Sequence, residues 1–133
     1  MALLESQLRI KRSRIPSAGK GLFTTRPIKK SQRILEYKGR LRLWREAKHE
    51  DSTNTYLLRV SRTHVIDARR TLSSLGRYAN DARGISRIEG LKNNAEYVTD
   101  GNRCFMEATR SIPAGSEIFV GYGREFWLVH GKK

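Results

Sequence analysis

Cysteine is nearly absent from this sequence: Cys104 stands alone among 133 residues. A single thiol closes no disulfide within the chain, and a zinc site built on several thiolates is excluded with it. Histidine is scarce too. His49, His64 and His130 lie far apart, none four residues from another ligand type on a helix, so surface histidines are expected rather than a metal centre. Long apolar runs are missing, and nothing approaches the ~20 residues that a membrane-spanning helix needs. The opening Met-Ala-Leu-Leu-Glu-Ser-Gln has neither the basic stretch nor the long apolar stretch of a secretory signal. With one free thiol, these absences lead us to expect an intracellular, reducing location.

Acidic residues are also in deficit. There are 13 Asp and Glu against 27 Lys and Arg, a formal net charge of +14. Residues 1–48 hold 14 basic and 3 acidic side chains, and Arg9, Lys11, Arg12 and Arg14 form the densest group. Such a surplus fits an anionic partner, with nucleic acid the first candidate. It fits equally well a solvated strand edge whose lysines and arginines discourage aggregation. Hydrophobic residues make up 38% of the chain, enough for one packed core in a single domain of this length.

Helical periodicity is rare. Short runs of β-branched and aromatic residues alternate with turn signals about every ten residues, which predicts a mainly β domain. Strands are expected near residues 8–10, 22–25, 33–37, 56–60, 65–68, 97–98, 104–108 and 117–120. A hairpin turn is expected at Ser61-Arg62-Thr63-His64 and another at Asp100-Gly101. Short helices are predicted over 41–49, 72–78 and 124–130, and a loop over 80–94. One internal echo is visible. Thr25-Arg26-x-Ile28-x5-Ile34 recurs as Thr109-Arg110-x-Ile112-x5-Ile118, and Gly39 corresponds to Gly123. It is too short for a solenoid repeat, and two similar hairpins arising by chance would look the same.

Several common chemistries fail on context. Gly19-Lys20-Gly21 lacks the third glycine of a dinucleotide loop and precedes a strand, not a helix. Cys104 sits in an apolar strand, where a free cysteine usually packs as a small hydrophobe. What does combine is an ordered set: Gly19-Lys20-Gly21-Leu22-Phe23, Glu36-Tyr37-Lys38-Gly39, Gly76-Arg77-Tyr78-Ala79-Asn80-Asp81, and residues 114–123 with Glu117-Ile118-Phe119-Val120-Gly121-Tyr122-Gly123. In order and spacing this set resembles the SET domain of protein-lysine methyltransferases over about residues 8–130. The stretches 51–56 and 65–77 look closest to the histone-lysine monomethylating branch. No cysteine-rich flanking module is expected.

The resemblance implies small curved β-sheets, short helices and a pseudoknot-like crossing that brings the Asn80 and Tyr122 segments together. It implies S-adenosylmethionine as cofactor, held by Ala18, Gly19, Lys20, Gly21, Tyr56, Asn80, the Asp81 backbone and Trp127. Tyr122 is the implied catalytic tyrosine, and Tyr37, Tyr97 and Val120 the implied lysine channel. Val120 offers no hydroxyl to hold a water beside the amine and Tyr97 does, which favours low methylation states. The family usually has Asn-His-Ser where this chain has Asn80-Asp81-Ala82, and a turn glycine where it has Ser31.

Read without the resemblance, Tyr37, Tyr56 and Tyr97 are ordinary strand tyrosines and Trp127 a core anchor. Tyr122, between two glycines, marks close backbone approach to a ligand. The implied substrate is a histone tail or another basic protein in the nucleus or on chromatin. The basic first third would face nucleosomal DNA, and a homodimer would cover apolar surface. The alternative is a SET-like module with weakened catalysis that binds nucleic acid through its basic surface.

Overall fold

The structure, a computed structural model, describes residues 3–16, 18–50, 53–82 and 90–121. Among them nine short strands follow in chain order: β1 (Leu8–Arg12), β2 (Lys20–Thr24), β3 (Arg33–Glu36), β4 (Arg40–Leu43), β5 (Leu57–Arg59), β6 (His64–Asp67), β7 (Ala95–Asp100), β8 (Arg103–Ala108) and β9 (Glu117–Ile118). They form three three-stranded antiparallel sheets, ordered β1-β2-β9, β3-β8-β7 and β4-β6-β5. The first two sheets enclose the main core, where Leu22, Ile34, Leu35, Met106, Ile118 and Val120 are fully buried. On β8, Cys104, Met106 and Ala108 point inward, as strand alternation requires. Phe105 on the opposite face lies beneath the guanidinium groups of Arg33 and Arg103, at 4.4 and 5.0 Å from the ring centre.

The two copies of the internal echo pair with each other. Ile28 and Ile112 exchange both backbone hydrogen bonds at 2.8 Å. Ser31 N–H donates to the Ala108 carbonyl at 2.8 Å, and Gly115 N–H donates to the Thr24 carbonyl at the same distance. Every one of these bonds maps onto its mate by the offset that relates the two sequence copies, so the repeat is a local pseudo-twofold and not a coincidence of hairpins. The copies differ at one informative point. Gly115 has φ +83° and Ser31 has φ +73°. A side chain in that left-handed region costs about 1–2 kcal/mol, against about 0.5–1 kcal/mol of extra unfolded-state freedom for glycine. Ser31→Gly is therefore expected to stabilise the fold by about 0.5–1 kcal/mol and raise the melting temperature by a few degrees; an unchanged or lower melting temperature contradicts this.

The predicted helix over 41–49 is only partly correct. Arg40–Leu43 is strand β4, and only Trp44–Ala47 (α1) is helical, followed by a 3-10 turn at Lys48–Glu50. Pairing with β6 decides this, Leu41 opposite Ile66 and Leu43 opposite His64. On the other face Arg42 donates to both Glu50 carboxylate oxygens at 2.7 and 3.0 Å and to Asp67 at 2.8 Å. Buried Asn54 donates to both carboxylates from the other side. The helix predicted over 72–78 shrinks to one 3-10 turn, Leu75–Tyr78. The C-terminal helix predicted over 124–130 lies outside the described residues.

This network makes an acid-sensitive clasp. The Arg42 hydrogen bonds, opposed by burial and helped by Asn54 and the Arg42 and His49 charges, lower the Glu50 carboxyl from 4.5 to about 2. A carboxyl lowered on folding contributes stability that is present above its unfolded value and fades as pH falls through its folded value. The melting temperature should thus decline between about pH 4.5 and 2. Glu50→Gln should flatten that decline; parallel curves for wild type and variant would refute the assignment.

Candidate active site

The loop before β2 turns back on β1 through Ser13 N–H donating to the Gly19 carbonyl at 2.8 Å. Gly19 has φ +73° and open space where a side chain would begin, so Ala18-Gly19-Lys20 presents bare backbone. Gly21 is buried, and a methyl group added there would collide with Glu117 Oε2. The Glu117 carboxylate is buried and accepts hydrogen bonds from Ser13 Oγ at 2.6 Å and Arg14 N–H at 2.9 Å. Glu117 thereby fixes the loop from below.

Asn80 joins this loop to the end of the chain. Its Nδ2 donates to the Lys20 carbonyl at 3.0 Å, and its carbonyl accepts Val120 N–H at 2.9 Å. Phe119 pairs in parallel with Asn80, and Val120 with Ala95 on the other side. Residues 119–120 therefore run between the two ends of the 80–95 excursion, as in the crossing that the resemblance implies. Asn94 clamps the passing segment, its Oδ1 accepting Phe119 N–H and its Nδ2 donating to the Glu117 carbonyl. Asp81 is buried and accepts a hydrogen bond from Asn93 Nδ2 at 2.9 Å, while Asn93 Oδ1 accepts Ala82 N–H.

A second group gathers beneath the β4-β6-β5 sheet. Tyr37 is buried, its hydroxyl donates to the Tyr56 carbonyl at 2.9 Å, and its ring meets Tyr97 edge-on at 5.5 Å. Tyr56 and Tyr97 are half-buried around the same cluster. Cys104 lies in this cluster, where burial above all, with the nearby Glu36 charge, pushes its thiol up to about 12; it is no nucleophile at neutral pH. The Arg77 guanidinium lies 4.4 Å over the Tyr56 ring and 5.7 Å over Tyr78. Its Nη2 donates to the Arg69 carbonyl at 3.4 Å, and its buried Nε has no hydrogen-bond partner among the described residues.

One five-residue segment ties the two groups together. Gly76 abuts the Tyr37 ring so closely that an added methyl would meet Cδ2 at 2.7 Å. Arg77 covers Tyr56, Ala79 joins the core against which Tyr97 packs, and Asn80 reaches Lys20. The segment thus touches the glycine loop at Lys20 and the tyrosine cluster at Tyr37 and Tyr56. Val120 is fully buried in the main core. Tyr122 and Trp127 lie outside the described residues. Four contributors were not singled out in the sequence: Glu117, Asn93, Asn94 and Arg77. A charged residue inside the apolar run Glu117-Ile118-Phe119-Val120 was the one available signal for the first; the others read as loop or motif filler.

The SET-domain family profile matches residues 19–123. The chain belongs to the SET-domain family. Among curated proteins, this SET domain is 28% identical over 119 residues to N-lysine methyltransferase KMT5A-A of Danio rerio, covering 82% of this chain and 33% of that protein. It is 27% identical over 124 residues to N-lysine methyltransferase KMT5A of Xenopus tropicalis, covering 86% of this chain and 36% of that protein. The chain spans about a third of the length of these relatives.

The donor set of this SET domain fits S-adenosylmethionine. Bare backbone at Gly19, held in place by Asn80 and Glu117, suits a ligand that is gripped through main-chain groups.

Proposed function

We propose that this SET domain is a protein-lysine methyltransferase that uses S-adenosylmethionine and acts on histone tails. The observation that carries the reading is the Gly76–Asn80 segment, which touches the glycine loop at one end and the tyrosine cluster at the other. The names of the matched relatives point the same way. Ala18–Gly21, Tyr56, Asn80, the Asp81 backbone and Trp127 would hold the cofactor. When bound, S-adenosylmethionine supplies an electrophilic methyl group.

The protein's own residues then have two tasks. A lysine amine must lose its proton before it can attack, yet a free lysine has a pKa of ~10.4. A dry slot walled on one side by the packed Tyr37–Tyr97 pair would penalise the ammonium form and lower that value, so that water can take the proton without a dedicated base. Alignment is the second task. The Tyr37 hydroxyl is bonded to the Tyr56 carbonyl and its ring is braced by Gly76, so the wall is rigid before substrate arrives. Tyr122 would orient the amine. Action on histones places the protein on chromatin.

Calorimetric titration with S-adenosylmethionine, followed by transfer of labelled methyl groups to mixed histones, tests the reading. Saturable binding is expected, with label transferred by wild type and lost in Tyr122→Phe. Absence of cofactor binding overturns it, and label confined to non-histone proteins overturns the histone assignment. Tyr97 contributes a hydroxyl beside the slot while Val120 contributes none, so mass spectrometry should find mainly mono- and dimethyl-lysine. A mainly trimethyl product would contradict that role for Tyr97.

A further inference from the structure

A second concave feature borders the glycine loop at Arg14 and Glu117 and includes none of the tyrosines. It is an open groove of about 200 Å³, and Arg14, Lys92 and Arg110 stand around it. These three cations come from distant parts of the sequence: the end of the first basic run, the segment before β7, and the turn after β8. Each is exposed, and among the described residues none has a carboxylate within ion-pair distance. Arg33, Arg42 and Arg103, by contrast, are held by carboxylates.

The walls of the groove are fixed. Asn94 is locked by its two hydrogen bonds to the Glu117–Phe119 backbone, and the Arg14 backbone is held by Glu117 Oε1. Glu117 is the one carboxylate in the lining among the described residues; both its oxygens are occupied, by the Ser13 hydroxyl and the Arg14 N–H, and it is buried. Ser111 and Ser116 add hydroxyls at the rim. Three cations around one groove, without an ion-pair partner among the described residues, repel one another, a standing cost that a bound anion removes.

We propose that the Arg14–Lys92–Arg110 groove grips the phosphate backbone of duplex DNA. A net charge of +14 gives the chain a long-range field. A rod of regularly spaced phosphates feels that field along its whole length, whereas a short acidic peptide does not. The groove is open at the surface, as a backbone that enters and leaves requires. The proposal does not depend on methyl transfer.

The test compares two triple variants of equal net charge in binding a labelled 20-base-pair duplex across a salt series. One is Arg14→Gln/Lys92→Gln/Arg110→Gln. The control is Arg45→Gln/Lys48→Gln/Arg62→Gln, three exposed cations around the β4-β6-β5 sheet, none of them in the groove. The groove triple should bind at least tenfold more weakly at 100 mM salt, with a log–log salt slope shallower by about 2–3, since each lost phosphate contact removes ~0.9 from the slope. The control should change less than threefold. Equal weakening of both triples, or no DNA binding by the wild type, overturns the proposal. So does displacement of the duplex by polyglutamate or by anionic lipid vesicles at matched charge. If the groove triple does not melt like the wild type, Lys92→Gln alone carries the test, with an expected slope change of about 1. Calorimetric binding of S-adenosylmethionine should be unaltered by Lys92→Gln and by Arg110→Gln, neither of which lies in the glycine loop.

Discussion

Glu117→Ala is expected to lower the melting temperature by about 10 °C and to weaken S-adenosylmethionine binding at least tenfold. The carboxylate accepts short bonds from Ser13 Oγ and Arg14 N–H and is buried beneath Gly21. Its removal strands both donors and opens a void under the loop. Stranded donors cost about 1–3 kcal/mol each, less where water reaches them, so about 3 kcal/mol in total is reasonable. Glu117→Gln keeps one acceptor and should cost less. Gly21→Ala approaches the same contact from the other side. The new methyl group needs the space of Oε2, and although that oxygen ends a flexible side chain, moving it breaks the bonds to Ser13 and Arg14. The double variant Gly21→Ala/Glu117→Ala should therefore be less destabilised than the sum of the two single changes, because the methyl partly fills the void. Additive losses would show that the two residues do not compete for one space.

What the sequence made legible was local. The hairpin at Ser61–His64 and the turn after Asp100 were readable because turn chemistry and strand propensity sit within a few residues of each other. Strand β4 was misread because Leu41, Leu43 and Trp44 resemble the start of an amphipathic helix, and the partner that makes them a strand begins about twenty residues later. Position-by-position reading could not find Glu117 or Asn94, whose roles rest on contacts spanning 104 and 25 residues. The echo was visible but not its meaning, since nothing in the repeat says that the two copies pair with each other. Among candidate site residues, the resemblance named Asn80 and the tyrosines, and the structure shows what links them: the Gly76–Asn80 segment. Arg77 stood inside that quoted motif without a role, because a stacking contact leaves no trace in spacing.

That contact carries the second large effect. Arg77→Ala is expected to reduce kcat/KM about 100-fold with most of the loss in kcat, while the dissociation constant for S-adenosylmethionine changes about threefold or less. The guanidinium lies 4.4 Å over the Tyr56 ring, and the Tyr56 carbonyl in turn receives the Tyr37 hydroxyl. Arg77 is thus a positioning residue for two walls of the slot, and a displacement of about 1 Å there is enough for a loss of this size. The stacking itself is worth only about 1 kcal/mol, so the melting temperature should fall by just a few degrees. Arg77→Lys should not rescue the rate, because an ammonium cannot reproduce a planar group stacked on a ring and bonded to the Arg69 carbonyl. A merely structural role is separated by repeating the measurement in a Ser31→Gly background. The added stability would restore activity lost through unfolding, but it would leave a geometric defect in kcat untouched. Recovery of the rate in that background, or a loss confined to KM, would remove Arg77 from the alignment of the slot.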